Sequence, residues 1–130
     1  MNYFYPTDFG VPDYYEMVFV TGEQRLAERR DALTRFLRTS RRGFDQVKAD
    51  PEAAVDHLLR HQAAAEFPLT KSVEMKSIRQ LIPAMEHADA PFLSQSPAVW
   101  QTCADWMAAQ NLLEHPVDPK DLLVDLLPPA

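Results

Sequence analysis

The chain has 130 residues, 46% hydrophobic and 25% charged, with a net charge of −6. That suits one domain able to bury a core, and the negative balance argues against a general nucleic-acid binder. The charge is uneven: residues 22–48 carry eight Lys or Arg against four Asp or Glu, and residues 49–130 carry five against twelve. Such an asymmetry steers a partner or is spread over solvated helix faces.

The first element is the best candidate strand. Met17-Val18-Phe19-Val20-Thr21 is β-branched and aromatic, and Gly22 closes it. Tyr3-Phe4-Tyr5 is a short second candidate. Between them Gly10, Pro12 and Asp13 predict a turn that presents Tyr14, Tyr15 and Glu16 at the mouth of the strand. A rigid turn carrying two aromatic rings and a carboxylate suits a small polar ligand. Tyrosines covering the edge of a core is the other reading.

Everything after this arm reads as helix. Glu23–Glu28 predicts a short helical turn. From Asp31 to Ala49 the apolar positions Leu33, Phe36, Leu37, Phe44 and Val47 recur at three and four, with Arg35, Arg38, Arg41 and Arg42 on other faces. Those arginines are an anion or partner surface, or a solvated face. Gly43 weakens the helix locally or lets another backbone approach. Asp50-Pro51 is a cap followed by a residue suited to the first helical position, and it predicts a helix over Pro51–Ala65 with Val55, Leu58 and Leu59 inward. His57 and His61 stand one turn apart on it, a spacing that could hold a metal. No glutamate of the His-Glu-x-x-His kind lies between them, and a surface pair is the expectation.

Thr70 is the expected cap of the next helix, with Val73, Ile78, Leu81, Ile82 and Met85 on its apolar face and Pro83 as a kink or end. Residues 88–95 predict a loop around Pro91. Ser96-Pro97 repeats the cap signal, and helix Pro97–Gln110 places Trp100, Cys103, Trp106 and Met107 on one side at core spacing. A short final helix is expected over Lys120–Leu126. Cys103, the single cysteine, allows no internal disulfide and reads as a buried, inert thiol.

Catalytic constellations are missing from the pattern. With three glycines there is no phosphate-cradling loop, no Gly-x-Ser-x-Gly elbow occurs, and the carboxylates are scattered. No catalytic residue, cofactor or metal is expected, and the chain is not read as an enzyme. No apolar run reaches transmembrane length, and Met1-Asn2-Tyr3 does not open a signal peptide. The chain as written is expected in the cytoplasm without membrane insertion. A longer natural chain would allow a periplasmic or extracellular location.

Asp8-Phe9-Gly10-Val11-Pro12-Asp13-Tyr14-Tyr15-Glu16, running into Met17–Thr21, resembles the hinge-crossing segment of the NMT1/THI5-like family. Leu33–Phe44, Asp50–Ala54, Val99–Trp106, Leu112-Leu113 and Pro116–Pro119 agree with that family in order. The resemblance implies a substrate-binding protein of the type II periplasmic-binding fold, feeding an ABC transporter, with relatives in thiamine-precursor synthesis. It implies only the C-terminal portion of such an α/β fold: mainly α with one or two short strands, divided into a hinge-like arm over residues 1–22 and the helical part of the first lobe over 23–130.

By the same resemblance Tyr14, Tyr15, Glu16 and Asp8 are the candidate ligand contacts, and the ligand is a small heterocycle such as a thiamine precursor. An ABC permease is implied for a full-length protein. The synthases' histidine and cysteine-rich motif has no match here, so their chemistry is not carried over. The alternatives are a piece related to such a synthase and a stand-alone helical interaction module. A strand without partners in its own chain further predicts a homo-oligomer in which residues 1–21 reach onto a neighbour, unless a separate N-terminal half takes that place.

Overall fold

The computed structural model describes residues 2–62, 67–86 and 91–127. Among these, four helices account for most of the chain: α1 (Glu23–Ala49), α2 (Pro51–His61), α3 (Lys71–Ala84) and α4 (Pro97–Ala109), with 3-10 turns at Pro6–Phe9 and Pro119–Asp121. The protein is mainly α, as its 3-4 apolar spacing dictates. Packing divides it into two units: Met1–Glu28 with Gln95–Asp125, and Arg29–Ser94 with Leu126–Ala130. The division falls within α1 at Arg29, whose φ of −125° and ψ of 19° leave helical values. The same place separates Glu23–Glu28 from the Asp31–Ala49 pattern in the sequence.

In the second unit the buried side chains among the described residues are Phe44, Val55 and Leu127. Phe44 stacks on Phe92 with ring centroids 4.1 Å apart. Arg41 donates from Nε to the Phe92 carbonyl at 3.0 Å, so α1 grips the 91–94 segment by ring and backbone together. Lys48 lies 5.2 Å from the centre of the Phe44 ring and pairs with Glu86. That hydrogen bond raises the Lys48 pKa above its ordinary 10.5, against an opposing desolvation. Helix α2 starts as its sequence dictates: Asp50 accepts from the Ala53 N–H at 2.9 Å and Pro51 takes the first helical position. Helix α3 packs on α2. Lys71 spans the two, 2.7 Å from Asp56 and 2.9 Å from Glu52. Its pKa is raised by the hydrogen bonds to Asp56 and Glu52.

In the first unit α4 packs on the Pro119–Asp121 turn. Pro119 is the one buried residue among that unit's described positions. Helix α4 ends on Asn111 in the left-handed region (φ 57°), with the Leu112 N–H returning to the Met107 carbonyl at 2.9 Å. Asparagine is one of the few residues other than glycine that accept this geometry.

Several expectations need correction. No strand forms among the described residues: Met17–Thr21 and Tyr3–Tyr5 are irregular and exposed. High β-propensity cannot make a strand without a neighbouring edge to take its N–H and C=O groups. The Lys120–Leu126 helix is only the Pro119–Asp121 turn, too short a run to offset helix nucleation. Helix α2 ends at His61, and residues 63–65 of its expected span lie outside the described residues.

Thr70 and Ser96 stand at N-cap positions with extended backbone, yet neither side chain caps. Pro83 sits in the last turn of α3 and ends the helix without kinking its interior. Leu58, Val73 and Leu81 are exposed, and Phe36 is half exposed. Cys103 is half-buried. A Cβ added at Gly43 would meet nothing within 4 Å, so no backbone approaches there.

Candidate functional site

The candidate contacts all lie in the first unit. Asp8 is exposed in the Pro6–Phe9 turn. Pro6 starts that turn at a position where its missing N–H costs nothing. Gly10 closes it with φ 80°, a value that suits glycine because a Cβ would be strained there. The Val11 N–H returns to the Pro6 carbonyl at 3.2 Å, and the Phe4 and Phe9 rings lie 6.1 Å apart. Asp8 is thus carried on a hydrogen-bonded loop that lies before the turn expected at Gly10, Pro12 and Asp13, and residues 11–15 are irregular.

Tyr14, Tyr15 and Glu16 follow in irregular backbone. Tyr14 and Glu16 are exposed, while Tyr15 is half-buried. The Tyr15 hydroxyl oxygen accepts from the Ser96 backbone N–H at 2.9 Å. Ser96 is the N-cap residue of α4, so this bond satisfies a donor at the entry to the helix. The Tyr15 ring lies 5.9 Å from Trp100, tilted by 32°, and Trp100 Nε1–H donates to Gln95 Oε1 at 2.8 Å. Tyr15, Ser96, Gln95 and Trp100 form one latch that ties the turn to α4. The sequence pointed to Tyr15 but not to its partners. They lie 80 or more positions away, and Trp100 read only as part of an apolar face.

Tyr14 and Glu16 are exposed, whereas the ring and hydroxyl of Tyr15 are engaged with Trp100 and Ser96. A tyrosine ring can stack on a heterocycle, and a carboxylate accepts from its amino groups. Among the described residues no cluster of three or more His, Cys, Asp or Glu could hold a metal ion. The His57 and His61 rings lie 4.2 Å apart. Because a carbonyl only accepts, His61 Nδ1 carries the proton it donates to the His57 carbonyl at 2.9 Å. The second unit also holds a groove of about 410 Å³, lined by Gly43, Val47, Asp50, Ala54 and His57 among others. No helix among the described residues is long and apolar enough to cross a membrane.

Residues 1–54 match the family described as NMT1/THI5 like. Over 121 residues the chain is 35% identical to the formylaminopyrimidine-binding protein of Halalkalibacterium halodurans, a match covering 93% of this chain and 37% of that protein. The family match covers the arm, α1 and the start of α2, and the similarity to the curated relative runs over nearly the whole chain. The chain spans little more than a third of the length of this curated relative, which is named as a binding protein and not as an enzyme.

Proposed function

We propose that the chain is the C-terminal portion of a solute-binding protein for a thiamine-precursor-like or other small heterocycle, and that it does no chemistry on its ligand. The observation that carries this is the 35% identity, extending over nearly the whole chain, to a formylaminopyrimidine-binding protein. Tyr14 supplies a stacking face, Glu16 and Asp8 accept from ring amino groups, and Tyr15 holds the turn in place while offering one ring edge. An ABC permease receives the ligand from the full-length protein. Association through residues 1–21 belongs to the same reading. The exposure of Tyr3, Phe4, Tyr5 and Phe9 supports association there without choosing between a second copy and another polypeptide.

A chimera tests the ligand reading. This chain replaces the matched third of the Halalkalibacterium protein, and formylaminopyrimidine binding is measured by calorimetry. The chimera is expected to bind. Glu16→Gln should weaken it roughly 10- to 100-fold, since a hydrogen bond to a charged acceptor is worth about 1.5–3 kcal/mol. A folded chimera that does not bind would refute the proposal, and a Glu16→Gln chimera with parental affinity would remove Glu16 from the site. The isolated chain is expected to bind weakly or not at all, because a ligand must be enclosed from several sides.

A further inference from the structure

The sequence expects His57 and His61 to be a surface pair, and both are exposed. The structure adds three observations that a merely solvated pair does not require. The ring centres lie 4.2 Å apart, tilted by 33°, because residues four apart on a helix stand one turn above each other. His61 Nδ1 donates to the His57 carbonyl at 2.9 Å. In a neutral ring that tautomer leaves Nε2 with a free lone pair, and a ring N–H held by a backbone carbonyl is the usual support of a metal-ligating histidine. The pair also stands at the end of α2, whose last residue is His61, and positive charge is favoured at the carbonyl end of a helix. The space beside it is open: Ala53 and Ala54, one turn before His57, line a groove together with Gly43 and His57.

We propose that His57 and His61 form a two-histidine site for an exchangeable divalent transition ion, Zn²⁺ or Ni²⁺, held by one nitrogen of the His57 ring and by Nε2 of His61. Imidazole suits these ions, whereas Mg²⁺ takes oxygen ligands. Zinc binds imidazole nitrogen at about 2.0–2.1 Å, so the two ligating atoms need to stand about 3.3 Å apart. Rings whose centres are 4.2 Å apart are within that reach. Among the described residues no group of three or more His, Cys, Asp or Glu completes a cage, so water fills the other positions, and the groove of about 410 Å³ leaves room for it. A site with two protein ligands is loaded and emptied by the free concentration of the ion. Arg60, the neighbouring cation on α2, is exposed, so its repulsion is screened by water and salt. The pair belongs to the second unit and the candidate heterocycle contacts to the first, so the metal site does not rest on the ligand reading.

The test is calorimetric titration of the full chain with Zn²⁺, Ni²⁺ and Mg²⁺ in a Cys103→Ala background, which removes its single thiol. A single equivalent of Zn²⁺ or of Ni²⁺ is expected to bind, and no Mg²⁺. Losing even a group that orients a metal ligand costs about 10- to 100-fold in affinity, so His57→Ala and His61→Ala should each weaken binding at least about tenfold. His115→Ala should leave it unchanged. In the unsubstituted chain Zn²⁺ should shift the imidazole C–H resonances of both His57 and His61, a readout that does not depend on how any variant folds. The proposal is overturned if neither ion binds, if Mg²⁺ binds as well as Zn²⁺, if either single variant keeps the parental affinity, or if the shifts fall on another histidine or on only one of the pair. Binding is read without any heterocycle, so a failure here is distinct from a failure of ligand binding.

Discussion

Tyr15→Phe separates the two roles open to that tyrosine. The substitution removes the oxygen that accepts from the Ser96 N–H at 2.9 Å and keeps the ring 5.9 Å from Trp100. A single hydrogen bond of this kind contributes about 0.5–1.5 kcal/mol net. The site is only half-buried, so water partly replaces the lost acceptor and the cost should fall near 1 kcal/mol. For a unit of this size that lowers the melting temperature by roughly 4–8 °C. Tyr15→Ala also loses the ring contact, worth about 0.5–1.5 kcal/mol beyond area burial, and should cost about twice as much.

The assay is thermal unfolding followed by tryptophan fluorescence in a Trp106→Phe background, where the remaining Trp100 reports the latch itself. Ligand affinity is measured in parallel in the chimera. The expected result is lower stability with affinity reduced less than about threefold. A Tyr15→Phe protein that melts like its parent while losing tenfold or more in affinity would refute the latch and make the hydroxyl a ligand contact.

Phe44→Ala should destabilise the second unit by about 3–5 kcal/mol, since it empties a buried ring site and ends the stack with Phe92; urea unfolding within 1 kcal/mol of the parent would contradict the packing. Gly43→Ala should stabilise α1 by about 0.5–1 kcal/mol, because an added Cβ meets nothing within 4 Å, and a lower urea midpoint would show a hidden clash. Lys48 and Lys71 have pKa values raised above 10.5 by their carboxylate partners. Their contribution is therefore complete below about pH 10.5 and fades as pH rises through the raised values. The stability gap between parent and Lys71→Gln should be flat between about pH 7 and 9 and close only in stronger alkali; a gap that closes near neutrality would assign it to another group.

Local chemistry read directly from the residues fixed much of this protein. Asp50-Pro51 started α2 where it was expected because a side-chain acceptor and a missing N–H solve the helix-entry problem without distant help. Gly10 took the left-handed conformation glycine permits (φ 80°), though at the close of Pro6–Phe9 and not in a turn with Pro12 and Asp13. The apolar spacing after Asp31 set α1, and the break at Arg29 fell where the pattern itself paused.

Tertiary structure decided what depends on partners far along the chain. It gave Tyr15 its bond to Ser96, 81 positions away, and Phe44 its stack on Phe92. It also decided that Met17–Thr21 stays without a ladder. A helix satisfies its backbone within its own segment, so its sequence suffices to specify it. A strand finds all its ladder hydrogen-bond partners on another segment, so five residues can state the preference for one and only a neighbouring edge can grant it.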